Sequence, residues 1–435
     1  ERHAPWCERE EKVLPTRLRR YILNKFTLFN SNMKPLFFED YIIISNHQNG
    51  KWLKIHKETY EILQIINNQV VKNMMDEDGL DHILGQFFEK SEDYNYIKDI
   101  IELLKEINVC GTENSNRFIG FEITDMCNLS CKHCCFSCND NNKYSLDLND
   151  KEIIDVLDEI IKFNPNQVLI SGGEPFIKKN ILTYLEHLRG NFTGKIIIAT
   201  NATLINKKLA KKLISLVDQI DISIDGIDEN SCSLIRGKGV FQKVINTIST
   251  LHNLNFYNIT LSMVFSEVNF HLIDRFYNLN ESLGTYPVPR IFSAVGRGEK
   301  NKEFFQNIDN DDFFVPNDFF KKNWNELFVS NCSAGKNEFF IKNNGDIYPC
   351  PNLSDRSFLL GNILTDKLGS IEFNLDTIDD VCAINNNNYF VTCKSCPVKE
   401  FCWTCPASKL EIKSKKTFEG LCSKVKSFLI NEIWR

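Results

Sequence analysis

The sequence predicts an α/β fold in which parallel strands are joined by helices. Between residues 118 and 295, short apolar segments rich in β-branched residues alternate with stretches of helical periodicity. Such alternation is typical of parallel strands with right-handed crossovers. The chain has 435 residues, 43% of them hydrophobic, which is enough for two or three packed domains. Alternation alone leaves both a barrel of β/α units and a doubly wound sheet open.

The elements of this region follow from the apolar segments and the turn residues between them. The predicted strands are Phe118–Thr124, Gln167–Ile170, Lys195–Asn201, Gln219–Gly226, Ile259–Phe265 and Arg290–Val295. The predicted helices are Asp150–Phe163, Asn180–Arg189, Lys207–Leu216, Val240–Leu251 and Leu272–Leu279. Gly296-Arg297-Gly298 would end the last unit. Because ligands collect at the carboxyl ends of parallel strands, the polar residues found there are candidate site residues.

A compact cysteine loop follows the first of these strands. Cys127, Cys131 and Cys134 have the spacing C-x3-C-x2-C. Three soft ligands in one loop suit an iron–sulfur cluster with one iron left for another ligand. A structural zinc site is the alternative, but zinc needs a fourth protein ligand. His133 could supply it, although it adjoins Cys134 and cannot easily reach the same metal.

The local sequence C-N-L-S-C-K-H-C resembles the cluster loop of the radical S-adenosylmethionine (SAM) enzymes. The family pattern T-x-x-C-N-L begins at Thr124 and favours this frame over a second one, formed by Cys131, Cys135 and Cys138. The resemblance implies that the three loop cysteines hold a [4Fe–4S] cluster whose open iron binds SAM. It also implies a partial (β/α)6 barrel and cleavage of SAM to a 5′-deoxyadenosyl radical.

Further motifs at strand ends match SAM-binding motifs of this family. Ser171-Gly172-Gly173-Glu174-Pro175 resembles the motif that binds the amino group of SAM, and two glycines allow a close backbone approach. Family members place the Ser and Arg of S-x-D-G…R-G near the ribose and carboxylate of SAM, and often have His where this chain has Cys232. The implied cofactor-binding residues are Gly172, Gly173, Glu174, Pro175, Asn201, Ser223, Asp225 and Arg236.

Composition limits the cellular context and the classes of partner. Sixteen cysteines without an apolar N-terminal signal favour metal ligation in a reducing cytoplasm over disulfides. The net charge of −6, with no basic stripe, does not indicate nucleic-acid binding. No run approaches the roughly 18 apolar residues of a membrane span.

A second group of cysteines lies near the carboxyl end. Asn344-Gly345 between alternating apolar runs predicts a β-hairpin that leads to Cys350. Two C-x2-C pairs follow, and only five residues separate them. A zinc ribbon usually needs a longer connection. The pattern resembles the SPASM extension of radical SAM enzymes, which carries up to two auxiliary iron–sulfur clusters.

This resemblance implies two further ligand sets, and therefore three [4Fe–4S] clusters in all. Cys393, Cys396, Cys402 and Cys422 match the ligands of the distal cluster, while Cys332, Cys350 and Cys405 match three ligands of the proximal one. Either Cys382 is the fourth proximal ligand, or one iron is left open for a substrate thiolate. Pro351 stands where sulfatase maturases have an Asp, which argues against that activity.

The N-terminal region predicts a small mixed domain. Pro35–Ser45 and Lys51–Ile55 form a predicted β-hairpin around Asn49-Gly50. Predicted helices follow at Lys57–Gln69, Gly79–Glu89 and Tyr96–Asn108. This arrangement resembles the winged-helix-like peptide-recognition domain of peptide-modifying enzymes, which takes an extended leader peptide as an added strand. A winged helix is also a DNA-binding scaffold, so a zinc-bearing DNA regulator remains an alternative for this region.

The predicted organisation is an extension (1–30), a leader-recognition domain (31–112), a radical SAM partial barrel (113–300), a linker (301–331) and a SPASM domain (332–435). This order resembles the sactipeptide maturases, which join a cysteine sulfur to a carbon of another residue in a ribosomally made peptide. The expected partners are a precursor peptide with a cysteine-containing core and an electron donor such as flavodoxin or ferredoxin. The alternative is a SPASM enzyme that makes carbon–carbon links or acts on a protein or a small molecule.

Overall fold

The structure is a computed structural model. It describes residues 26–30, 33–46, 49–73, 76–88, 92–110, 117–138, 146–305, 329, 332, 334–335, 337–371, 388–402, 407, 410, 412 and 414–434. Residues 1–25 of the predicted extension, most of the predicted linker, Cys382 and Cys405 lie outside the described residues.

The N-terminal region forms an antiparallel sheet followed by three helices. The strands are β1 (Met33–Phe38), β2 (Tyr41–Asn46) and β3 (Trp52–His56), and the helices are α1 (Lys57–Lys72), α2 (Glu77–Phe88) and α3 (Glu92–Glu106). The predicted single strand Pro35–Ser45 is wrong, because the chain turns at Glu39-Asp40 and pairs Phe38 with Tyr41. Glu39 adopts the left-handed region (φ 51°) without the Gly or Asn that usually signals such a turn.

The two faces of this sheet pack against different parts of the chain. Ile42, Ile44 and Ile55 belong to a core shared with the three helices. On the other face, the Phe38 ring lies 5.0 Å from the Trp434 ring and the Trp52 ring lies 5.2 Å from the Phe401 ring. The sheet therefore also packs against the C-terminal cysteine-rich region.

The central region is a series of parallel strands separated by helices. Its strands are β4 (Phe118–Glu122), β5 (Gln167–Ser171), β6 (Lys195–Thr200), β7 (Gln219–Ser223), β8 (Ile259–Phe265) and β9 (Tyr286–Ile291). Its helices are α4 (Asp150–Phe163), α5 (Ile181–Asn191), α6 (Lys207–Leu213), α7 (Glu229–Arg236), α8 (Val240–His252) and α9 (Ile273–Leu283). Helix α7 was not predicted.

Strand order selects between the two predicted architectures. The six parallel strands are neighbours in sequence order, so every crossover steps in the same direction. A doubly wound sheet would reverse its order at a switch point. Ile119, Phe121, Val168 and Ile170 pack against the helices in one core, and alternate residues of each strand face the other side. The expected partial (β/α)6 barrel is confirmed.

The two ends of the central sheet differ from expectation. The last parallel strand begins at Tyr286, before the predicted Arg290, because an edge position tolerates Pro287 and Pro289. Short helices α10 (Arg297–Lys300) and α11 (Lys302–Phe305) follow it. At the other end, strands β10 (Glu338–Ile341), β11 (Asp346–Tyr348) and β12 (Gly361–Asn362) extend the sheet to nine strands.

The C-terminal region is therefore attached to the barrel through the sheet itself. Strand β10 pairs in parallel with β4, with Phe340 opposite Gly120. The predicted hairpin at Asn344-Gly345 is confirmed by antiparallel pairing of β10 with β11. The chain ends in helix α12 (Lys415–Trp434), which was not predicted. No helix in the described parts of the chain is long and apolar enough to cross a membrane.

Candidate active site

The cysteine loop leaves the carboxyl end of β4 and lies beside two polar side chains, one from a strand end and one from a helix end. Asn201 Nδ2, after β6, is 3.8 Å from Cys127 Sγ. Arg236 Nη1, at the end of α7, is 3.8 Å from Cys131 Sγ. These contacts unite three separate predicted motifs at one edge of the barrel.

A network of amides fixes the Cys127 side of the loop. Asn201 Nδ2 donates to Asn128 Oδ1 at 2.9 Å, and Asn128 Nδ2 donates to Thr203 Oγ1 at 2.8 Å. Thr203 Oγ1 in turn donates to Asn201 Oδ1 at 2.6 Å. The network holds Asn201 in one orientation, so its amide stays beside the Cys127 sulfur.

A buried carboxylate fixes the Cys131 side of the loop. Asp225 Oδ2 accepts from Arg236 Nε at 2.5 Å and lies 2.8 Å from His133 Nε2. Burial alone would raise the pKa of Asp225, but the charges of Arg236 and His133 hold this pKa well below its usual range. Asp225 therefore stays ionised and directs Arg236 towards Cys131. Ser223, a predicted SAM-binding residue, ends β7 shortly before Asp225 in the sequence. Its hydroxyl is 3.4 Å from that of Ser262.

The G-G-E-P segment packs backbone to backbone against the cysteine loop. Gly173 N donates to Thr124 O, and Glu174 N donates to Met126 O, both at 2.8 Å. A Cβ at Gly172 would lie 2.6 Å from Thr124 O, and a Cβ at Gly173 would lie 2.2 Å from Met126 O. Both glycines are therefore required by the approach of the cysteine loop itself.

The Glu174 carboxylate connects the G-G-E-P segment with the end of β6. It accepts from Thr200 Oγ1 and Asn201 N, both at 2.8 Å, and from Phe176 N at 3.2 Å. Complete burial raises the pKa of Glu174 to about 7, although these hydrogen bonds oppose the shift. Pro175 then begins a short 3-10 turn. The Glu174 carboxylate thus holds Asn201 in place by binding the backbone N–H of Asn201.

Sequence reasoning expected Gly296-Arg297-Gly298 only to end the barrel, but Arg297 also binds the cysteine loop. Arg297 N donates to Cys134 O at 2.9 Å, and Arg297 Nη1 donates to Cys131 O at 3.1 Å. Its Nη2 donates to Cys138 O. No spacing signal in the sequence connects this arginine with a loop more than 150 residues earlier.

Glu122 is another residue that sequence reasoning missed. It lies at the end of β4, is 1% exposed, and its Oε2 has no hydrogen-bond partner among the described residues. Burial raises the pKa of Glu122 to about 8, while Lys342 opposes the shift.

Cys232, the position that is often His in the family, is buried, and its thiol contacts Ile224 O at 3.0 Å.

The donor set of the loop fits an iron–sulfur cluster better than zinc. His133, the candidate fourth zinc ligand, lies against Asp225 at 2.8 Å. Burial raises the pKa of Cys127 to about 11, so metal binding there would release a proton. Among the described residues, no group of three or more His, Cys, Asp or Glu side chains is closed around one metal position. The fit of the loop to an iron–sulfur cluster therefore rests on its three thiols, which lie between the polar side chains of Asn201 and Arg236.

The C-terminal cysteines lie against a second hydrophobic core. Cys350, Cys393, Cys396, Cys402 and Cys422 are partly buried there. Burial raises the pKa of Cys422, and the charges of Cys396 and Cys402 raise this pKa further. Cys405, of the predicted proximal set, lies outside the described residues.

Two family models match the chain. One describes the radical SAM superfamily and matches residues 121–279, and the other, SPASM, describes an iron–sulfur cluster-binding domain and matches residues 332–406. The mycofactocin maturase MftC of Mycolicibacterium smegmatis is 28% identical over 267 residues, which cover 57% of this chain and 67% of that protein. The AdoMet-dependent heme synthase of Methanosarcina barkeri is 27% identical over 194 residues, which cover 44% of this chain and 54% of that protein.

Solved structures show the same fold. SuiB of Streptococcus suis bound to S-adenosylmethionine has a TM-score of 0.50 at 16% identity, covering 89% of this chain and 97% of SuiB. SuiB bound to the precursor peptide SuiA has a TM-score of 0.51 at 16% identity, covering 88% of this chain and 97% of SuiB.

The fold and the two matched domains define a radical SAM enzyme with a SPASM domain, a class that binds SAM and iron–sulfur clusters. The chain therefore carries a radical SAM domain and a SPASM domain, and its predicted likeness to radical SAM/SPASM peptide maturases is confirmed. The number of clusters and the residue assignments stay predictions.

The contact at Gly173 leads to a specific expectation for SAM binding. Gly173→Ala should weaken SAM binding by about tenfold or more, equivalent to roughly 1.4 kcal/mol, because the new Cβ must displace Met126 in the cysteine loop. Isothermal titration of the anaerobically reconstituted protein measures this affinity. Gly190→Ala is the matched control, because a Cβ there meets no atom within 4 Å. Equal SAM affinity in the two variants would contradict the predicted role of the G-G-E-P segment in SAM binding.

Proposed function

We propose that this protein modifies a ribosomally made precursor peptide, and that it forms thioether crosslinks from cysteine sulfur to a carbon of another residue. The observation that carries the proposal is the arrangement of three parts in one chain. A small sheet with an edge strand, β3, packs against the cysteine-rich region, and that region continues the sheet of the barrel. A peptide held at the small sheet would thus be tethered beside the C-terminal cysteine-rich region, which is continuous with the barrel sheet.

Strand β3 is suited to leader binding by strand addition. It lies at one edge of the three-stranded sheet and contains no proline, whereas β1, at the other edge, contains Pro35. Main-chain pairing gives affinity that depends little on the peptide sequence. The acidic net charge of −6 favours a peptide over DNA as the partner.

The proposed cofactor site is the edge where the cysteine loop meets Asn201 and Arg236, with Ser223 at the end of the neighbouring strand β7. SAM bound there would supply a 5′-deoxyadenosyl radical that takes a hydrogen atom from the peptide. Arg236 is held ionised beside Cys131 by Asp225, so it can pair with the carboxylate of SAM. Glu174 and Asn201 keep the strand ends in a fixed arrangement, which limits how the cofactor can be oriented.

The cysteines that would hold three [4Fe–4S] clusters follow the pattern stated above. Cys127, Cys131 and Cys134 would hold the first cluster, Cys332, Cys350 and Cys405 the proximal auxiliary cluster, and Cys393, Cys396, Cys402 and Cys422 the distal one. Oxygen-sensitive clusters suit a reducing cytoplasm, where flavodoxin or ferredoxin would supply electrons. Thioether formation is supported by the three matched cysteines of the proximal cluster, which leave a fourth position for a substrate thiolate unless Cys382 fills it, and Pro351 in place of an Asp argues against a sulfatase maturase.

The proposal is tested with the full-length reconstituted protein, reduced flavodoxin, SAM and a cysteine-containing precursor peptide encoded beside its gene. Each thioether should lower the peptide mass by two hydrogen atoms and should protect one cysteine from alkylation. Tandem mass spectrometry and iodoacetamide labelling measure both effects. A product that lost the hydrogens but kept every cysteine open to alkylation would support carbon–carbon links instead. If the peptide stayed unmodified while a small molecule was modified in a SAM-dependent reaction, the proposal that the substrate is a peptide would be refuted.

A further inference from the structure

Asp147 lies at the meeting point of three motifs, yet no motif contains it. Its Oδ2 accepts from Thr124 Oγ1 at 2.6 Å and from Lys178 Nζ at 2.9 Å. Its Oδ1 accepts from Asp125 N at 3.1 Å and from Asn343 Nδ2 at 3.0 Å. These partners belong to the start of the cysteine loop, the segment after G-G-E-P and the turn between β10 and β11.

In each of these four contacts Asp147 is the acceptor, and an ionised carboxylate can satisfy all of them. An ionised Asp has two acceptor oxygens and no hydrogen to donate. An Asn in this position would direct its amide group either at Asp125 N and Asn343 Nδ2 or at Lys178 Nζ, so at least one donor would be opposed in each orientation. Burial opposes ionisation, but these hydrogen bonds together lower the pKa of Asp147, so it is charged at neutral pH.

The contact with the hairpin is reinforced by the backbone. Leu148 N donates to Asn343 O at 2.9 Å, so residues 147 and 148 bind both the side chain and the main chain of Asn343. Asn343 is 6% exposed, which makes the loss of a hydrogen bond there costly. Strand β11 of this hairpin ends at Tyr348, and Cys350 follows it closely in the sequence. A single carboxylate therefore connects the cysteine loop with the hairpin that precedes a predicted auxiliary-cluster ligand.

We infer that Asp147 is a positioning residue that fixes the cysteine loop relative to the β10–β11 hairpin and so couples SAM cleavage to modification of the substrate. The inference rests on the proposed function for its substrate readout, but SAM affinity and iron content test it separately. Thr124 transmits the effect to the loop, because its hydroxyl also accepts from Met126 N at 3.1 Å. Gly173 N donates to Thr124 O, so the same residue also orients the G-G-E-P segment.

The first test compares Asp147→Asn with Asp150→Asn in the full-length reconstituted protein. Asp150 is a matched control from the same segment, and its partners Asn180 and Tyr184 belong to the start of α5 and its first turn. Asp147→Asn should weaken SAM binding about tenfold and raise the ratio of 5′-deoxyadenosine to modified peptide, because a charge-assisted set of bonds is lost. Asp150→Asn should change neither quantity. Wild-type affinity and coupling in Asp147→Asn would overturn the inference.

The second test exchanges the two partners of the contact between Asp147 and Asn343 and measures the coupling ratio. In Asp147→Asn with Asn343→Asp, the amide of residue 147 can donate to the new carboxylate at residue 343. The double variant should therefore recover most of the lost coupling relative to Asp147→Asn alone. If Asp147→Asn fails to hold iron, Asn343→Ala takes its place as the decisive variant, since it removes one hydrogen bond only. Asn343→Ala should keep SAM affinity and lose coupling, and unchanged coupling in it would refute the connection.

Discussion

Replacing Cys127, Cys131 and Cys134 together by alanine is expected to remove about four irons and to abolish formation of 5′-deoxyadenosine. These thiols lie in one loop between Asn201 and Arg236, at the edge where the SAM-binding motifs meet. Without them no ligand set remains beside those motifs, while the C-terminal cysteines pack against a separate core. Iron analysis of the anaerobically reconstituted protein and chromatography of the SAM products measure the two losses.

Cys135→Ala with Cys138→Ala is the matched control, because these residues belong to the competing frame. Removing both should leave iron content and SAM cleavage near wild type. A small effect through Cys138 is compatible with this expectation, since its hydrogen bond lowers the pKa of Cys134. If the control lost the cluster and the triple variant kept it, the frame would have to be reassigned.

The central fold could be predicted because its signals are local. Each strand is a short apolar run that ends at a polar or glycine residue. The run predicts the strand, and its polar end predicts where the functional site lies. Predicted strand Ile259–Phe265 and predicted helix Asp150–Phe163 have the same bounds as β8 and α4. Helix α4 starts where it does because Asn149 and Glu152 form a capping box.

The supports of the site could not be predicted, because they depend on contacts between distant segments. Asp147 and Arg297 bind the cysteine loop through hydrogen bonds that no spacing in the sequence reveals. Pairing of β10 with β4 joins residues more than 200 positions apart. The glycines of G-G-E-P also make room for the cysteine loop, and the Glu174 carboxylate accepts hydrogen bonds from protein donors. Neither contact follows from the motif, and the expected role of this segment in SAM binding stays a prediction.

Cys332→Ala should abolish crosslinking of the peptide while some SAM cleavage persists, with a loss of about four irons. The backbone supports a shared role for Cys332 and Cys350. Gly335 N lies 3.3 Å from Pro349 O, which brings the segment after Cys332 alongside the residue before Cys350. Because Cys127, Cys131 and Cys134 lie in a different segment, the first cluster should survive this change. Alkylation-based mass spectrometry of the peptide and quantitation of 5′-deoxyadenosine separate the two activities.

Cys382→Ala decides whether the proximal set is complete without the substrate. Three cysteines match that set, and Cys382, eleven residues before Cys393, is the competing fourth ligand. We expect this variant to keep its iron and nearly all of its thioether yield, because the fourth position is left for the sulfur of the substrate. Holding that sulfur near the carbon that loses its hydrogen would greatly raise its effective concentration for bond formation. Loss of iron in Cys382→Ala, matching that in Cys332→Ala, would show instead that the protein closes the site and that the substrate sulfur is held elsewhere.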